Sequence, residues 1–171
     1  MSTDGPARAL RGIPASALWP GLAGLLPFLA CALLPLATDP AWHPLLQRAL
    51  VAYAAVILAF VGAIHWGIGL MASRDDDAGQ VPRAAAATAS VAAGRFAWSV
   101  VPALWGWLAM FPSFVSALAM LGIGFIVQLA VDWRVAGALQ LPAWYLALRL
   151  VLTSGVLLAL LLASLATALL A

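Results

Sequence analysis

Five apolar stretches of about twenty residues, separated by short polar breaks, leave this chain one choice of solvent. They run over roughly 15–37, 50–71, 92–111, 112–131 and 147–170. A helix needs ~20 predominantly apolar residues to cross ~30 Å of hydrocarbon, where an unpaired backbone amide finds no partner. Each stretch must therefore satisfy its own amides, as a helix does. None shows the alternation of a barrel strand. The third stretch is the least clear, because Arg95 stands near its start. The expected fold class is all-α: a polytopic integral membrane bundle of about five transmembrane helices over 15–171, after a cytoplasmic segment 1–14.

The charges agree. A soluble domain carries ~25% charged residues, whereas this chain of 171 residues has 8%, with 65% hydrophobic residues and a mean hydropathy of +1.07. All of its basic residues are arginine and all of its acidic ones aspartate. The net charge of +2 does not imply nucleic acid, since scattered arginines form no basic patch. Its one cysteine, Cys31, rules out an internal disulfide and a CxxC site. The two histidines, His43 and His65, fall toward opposite sides of the membrane, so no metal site is expected.

The breaks are legible. Thr38-Asp39-Pro40 ends the first span, and Arg74-Asp75-Asp76-Asp77 with Gly79 and Pro82 opens the longest loop. The Ala-rich stretch Ala84 to Ala93 is either a surface helix or an extension of the third span. Phe111-Pro112-Ser113 leaves room only for a tight antiparallel hairpin between spans three and four. With the N-terminus inside, Arg8, Arg11, Arg74, Arg83, Arg95, Arg134 and Arg149 share the cytoplasmic side and only Arg48 is outside. That asymmetry predicts a cytoplasmic N-terminus and a periplasmic C-terminus. The first run exceeds the ~7–15 residues of a signal-peptide core, so it reads as a retained span.

Ionisable groups inside a span cost ~2.5–3.5 kcal/mol on insertion scales and are functional candidates by default. His65 shares a helical face with Gly62 and Gly69, which invites a neighbouring helix. It is either a titrating or ligand-binding imidazole or a packing residue. Gly124, Gln128 and Asp132 recur every four residues on span four, as do Tyr145, Arg149 and Thr153 on span five. Antiparallel packing of these spans brings Asp132 and Arg149 within reach, and the pair would hold the helices in register. The alternative is that Arg149 snorkels and Asp132 caps a helix end. Arg95 reads as a snorkelling anchor, while Trp19, Trp42, Trp98, Trp133 and Trp144 read as interfacial anchors. Trp105 and Trp107 read as lipid-facing or packing residues.

Two segments carry a resemblance. Tyr53 to Gly67 (YAAVILAFVGAIHWG) and Leu141 to Thr153 (LPAWYLALRLVLT) resemble hallmarks of the domain of unknown function 3429 family, which includes mitochondrial proteins similar to transmembrane protein 69. Asp132-Trp133-Arg134 is similar to the acidic-basic motif after that family's fourth span, with Trp133 where another arginine is expected. The resemblance runs from about Ala17 to Leu160 and implies a small polytopic bacterial or mitochondrial inner-membrane protein of unassigned biochemical role. The candidate functional cluster is then His65, Trp66, Gln128, Asp132, Tyr145 and Arg149.

No catalytic signature is present: no GxSxG, HExxH, Walker loop or dinucleotide fingerprint. The sequence favours a non-enzymatic assembly or scaffold factor of the bacterial inner membrane, without a cofactor. Its expected partners are membrane lipid and either a membrane protein complex or a second copy of the chain. The alternatives are a small-molecule or proton-coupled transporter, and a binder of a lipid headgroup or quinone on the cytoplasmic side.

Overall fold

The apolar runs form helices throughout. A computed structural model describes residues 12–76, 82–137 and 141–170, with the backbone alone for 71–76, 82–91 and Ala143. The elements are α1 (Ala15–Ala23), α2 (Leu26–Leu33), 3-10 turns at Leu34–Leu36 and Pro40–Trp42, then α3 (His43–Asp76), α4 (Pro82–Leu108), α5 (Phe114–Ala136) and α6 (Ala143–Leu170). No strand occurs among the described residues. The stretches Ala15–Leu36, Pro40–Leu70, Phe114–Ala136 and Trp144–Leu170 are long and apolar enough to cross a membrane. With α4 as the fifth long element, the protein is an all-α, multi-pass membrane bundle.

The first span is not one helix. Pro27 lacks an amide hydrogen and its ring crowds the preceding turn, so α1 stops at Ala23 and the chain restarts at Leu26. The Gly24 amide bonds back to the Pro20 carbonyl at 3.0 Å. The Gly24 carbonyl accepts a hydrogen bond from the Tyr53 hydroxyl at 3.0 Å, which ties the break to α3. An exposed carbonyl within the membrane needs such a partner.

The expected second span lies inside α3, whose 34 residues extend ~50 Å at ~1.5 Å per residue, well beyond the hydrocarbon. Before it, the Asp39 carboxylate accepts from the Ala41 amide at 2.8 Å and starts the short 3-10 turn. The Ala-rich stretch after Pro82 is continuous with the rest of α4, so it extends the third span. Pro102 lies inside α4 without ending it. Residues 1–11 and 77–81, with the expected cytoplasmic segment and most of the longest loop, lie outside the described residues. So do the side chains of Arg8, Arg11, Arg74 and Arg83, which carry much of the orientation argument.

Lipid gives helices no hydrophobic reason to associate, so close packing of small residues must hold them. Glycines mark the approaches. A Cβ on Gly62 would lie 2.6 Å from the Pro102 ring, and one on Gly69 2.9 Å from Phe96, so α3 and α4 run antiparallel in tight contact. Gly106 faces the Ala55 backbone, Gly124 faces Leu58 and Trp105, and Gly155 receives Leu25 of the broken span. The core between α2, α3 and α5 centres on Phe28, with edge-to-face contacts to Tyr53 at 5.0 Å and Phe125 at 6.3 Å. Trp105 of α4 donates its indole N–H to the Met120 carbonyl of α5 at 2.7 Å and locks that hairpin.

Gly62 and Gly67 separate packing from helix propensity. Both substitutions to Ala gain the same intrinsic preference, but Gly67 has nothing within 4 Å of a new Cβ. Gly62→Ala is expected to be destabilised relative to Gly67→Ala by about 1–3 kcal/mol, the usual range for an overpacked contact. Thermal melts of the purified variants in one detergent check the difference; equal melting temperatures would refute the α3–α4 contact.

Candidate functional site

A carboxylate buried in a bundle needs donors on every side. Asp132, on the last turns of α5, is 2% exposed and has three. Its Oδ2 accepts from Arg149 Nε of α6 at 2.7 Å. Its Oδ1 is 3.0 Å from His65 Nε2 of α3 and accepts from Gln128 Nε2, one turn earlier on α5, also at 3.0 Å. The Gln128 carbonyl in turn accepts from Trp98 Nε1 of α4 at 3.1 Å. A single polar chain therefore joins α3, α4, α5 and α6.

A carboxylate oxygen accepts, so His65 Nε2 is the nitrogen that donates to Asp132. Its Nδ1 is buried without a hydrogen-bond partner.

Four of the six sequence candidates thus meet: His65, Gln128, Asp132 and Arg149. Tyr145 lies one turn before Arg149, its ring edge-on to Trp144 at 6.5 Å. Trp66 turns away from the cluster. It is 49% exposed and packs its ring against Phe96 at 4.8 Å. Arg95 is not among the partners of Asp132, and its Nη1 is buried without a hydrogen bond. His43 opens α3, so it sits ~33 Å from His65 along the helix. Among the described residues no group of His, Cys, Asp or Glu suits a metal.

Beside the cluster lies a cavity of about 410 Å³. Its walls are the broken first span (Ala17, Pro20, Gly21, Leu25, Phe28), the α3 face Ile57 to Ile64, and α6 from Tyr145 to Val156. The lining is mostly apolar, with Ser16, Tyr145, Arg149 and Thr153 as its polar side chains. Phe60, 69% exposed, stands at its rim. Behind this lining, Arg149 Nη2 and the Thr153 hydroxyl are buried without a hydrogen-bond partner.

Residues 13–165 match the family described as protein of unknown function, DUF3429. The chain belongs to the DUF3429 family. A relative is Transmembrane protein 69 of Xenopus tropicalis, 33% identical over 150 residues, which cover 85% of this chain and 52% of that protein. The chain spans about half the length of that relative. No solved structure matches it. The two segments that carry the resemblance contain His65, Arg149 and Thr153, whereas Trp98, Gln128 and Asp132 lie outside them.

Sequence reasoning missed the role of Trp98, which read as an interfacial anchor yet donates its N–H to Gln128 of α5. Trp105, read as lipid-facing or packing, packs against the core and donates to the Met120 carbonyl. The four-residue spacing of Tyr145, Arg149 and Thr153 marked a common face, but the space between α6, the first span and α3 was not legible in it.

Removing one partner of a buried ion pair strands the other. Arg149→Ala is expected to cost about 3–5 kcal/mol, whereas Arg149→Met with Asp132→Leu should recover most of that loss. Unfolding titrations of the single and double variants test this; an additive double variant would show that the pair is not coupled in the folded bundle.

Proposed function

We propose that this DUF3429 protein is a membrane-embedded binding protein for an amphipathic small molecule. The apolar part of the ligand lies in the cavity between the broken first span, α3 and α6, and its polar head meets Arg149, Thr153 and Tyr145. One observation carries the reading: a largely apolar space of about 410 Å³ whose few polar lining residues include Tyr145, Arg149 and Thr153. Ligand sites are typically ~300–1,000 Å³, mostly apolar, with a few polar groups that orient the ligand. The exposed Phe60 at the rim suits lateral entry from lipid.

The placement of the protein belongs to the same proposal. The arginine asymmetry favours a bacterial inner membrane with the N-terminus in the cytoplasm, which sets the cluster toward the cytoplasmic leaflet. The scaffold role that the sequence favoured uses none of these features, and transport would need a second opening onto the site.

Native mass spectrometry of protein gently extracted at near-native expression tests the reading. Wild type is expected to retain a small amphiphile that Ala17→Phe, which fills the cavity from the α1 side without touching the polar network, loses at least tenfold. The two proteins should melt alike once delipidated. A stoichiometric protein partner with no small molecule would instead return the assembly role to first place.

A further inference from the structure

Polarity in the cavity runs in one direction, which orients its occupant, given the ligand-binding reading above. A Cβ on Gly21 would lie 3.0 Å from the Leu152 side chain, and one on Gly155 2.7 Å from Leu25. Later residues of the first span thus meet later residues of α6, so these two walls run parallel. Ser16 and Tyr145, the first lining residue of each, therefore stand at the same end. Each is one residue past the start of an apolar span, Ala15–Leu36 and Trp144–Leu170, the level at which tyrosine and tryptophan meet lipid head groups. Ser16 is exposed and Tyr145 partly so.

Inward from that end the lining loses its polarity. Arg149 and Thr153 follow Tyr145 on α6 at intervals of one turn, and beyond Thr153 the cavity closes on Phe28, Phe125 and Val156, all buried. A polar head placed there would lose its water without gaining a partner. The eleven-residue step from Tyr145 to Val156 along α6 covers ~17 Å at ~1.5 Å per residue, about half of the ~30 Å of hydrocarbon. The cavity is therefore one leaflet deep. Its volume of about 410 Å³ equals roughly fourteen groups of ~30 Å³, the share of one water molecule and close to that of a methylene. That accommodates one chain with a small head, and not two chains.

We infer that the cavity takes a single-chain amphiphile in the orientation of a lipid of the adjacent leaflet, its head at the level of Ser16 and Tyr145 and its chain directed inward to Phe28, Phe125 and Val156. A monoacyl lipid and a prenyl alcohol are the two sources of that chemistry. The parallel packing of the first span on α6 sets this direction, because it brings the polar start of both walls to one end.

The test uses delipidated, full-length protein in detergent, with binding read by native mass spectrometry. The probes are monomyristoylglycerol, geranylgeraniol and dimyristoylglycerol. Expected is saturable binding of one copy of a single-chain probe, at least tenfold tighter than that of dimyristoylglycerol. The tighter of the two single-chain probes tells an acyl source from a prenyl one. That probe is then made with a diazirine beside the head or at the chain end, and the photo-crosslinks are mapped by peptide mass spectrometry. The chain-end label is expected on Phe28, Phe125 or Val156, and the label beside the head on Ser16, Ala17 or Tyr145. Dimyristoylglycerol binding as tightly would overturn the single-chain inference, and the reverse pattern of crosslinks would overturn the orientation; either result leaves amphiphile binding standing. Failure of all three probes to bind would defeat both readings together.

Discussion

Asp132 is the group on which the arrangement of the bundle depends. A carboxylate enclosed by helices in hydrocarbon is tolerable only when its oxygens are occupied and a cation stands near. Arg149, His65 and Gln128 meet that requirement from α6, α3 and α5, and Trp98 extends the chain to α4 through Gln128. Sliding any one of these helices by a turn would break a bond to a buried charge. The cluster thus sets the register of helices that lipid alone would let slide.

Elsewhere in the bundle the contacts are of another kind. Association between helices in lipid rests on packing and hydrogen bonds, since the tails are as apolar as the side chains. Gly62, Gly69 and Gly106 bring α3 against α4, and Gly155 receives Leu25 from the first span. The polar network fixes register near one end of the bundle, while the glycine contacts set distance along its length. Where the first span breaks at Gly24, tight packing gives way to the cavity, and the Tyr53 hydroxyl takes up the carbonyl at the break.

The same side chains serve structure and recognition. Arg149, which lines the cavity, spends one nitrogen on Asp132 and leaves another buried without a partner. A lysine would place a single compact charge there, whereas the planar fork of arginine divides its donors between two directions. His65 lies in one of the two segments that carry the family resemblance, Arg149 and Thr153 lie in the other, and Asp132 stands between them in the chain.

Much of this was legible in the residues alone. Apolar runs and the scarcity of charge determine a helical membrane bundle, because hydrocarbon admits few other ways to satisfy a backbone. Four-residue spacings placed Gln128 with Asp132 and Arg149 with Thr153 on their faces, because helical periodicity is local. The tertiary structure alone decided that Trp66 turns outward, that Trp98 turns inward to Gln128, and that His65 and Arg149 converge on one carboxylate from two helices. It also decided the cavity, which lies between the broken first span, α3 and α6. Spacing along a chain specifies what shares a face; which face meets which, and where the packing leaves space, depends on contacts between residues far apart in sequence.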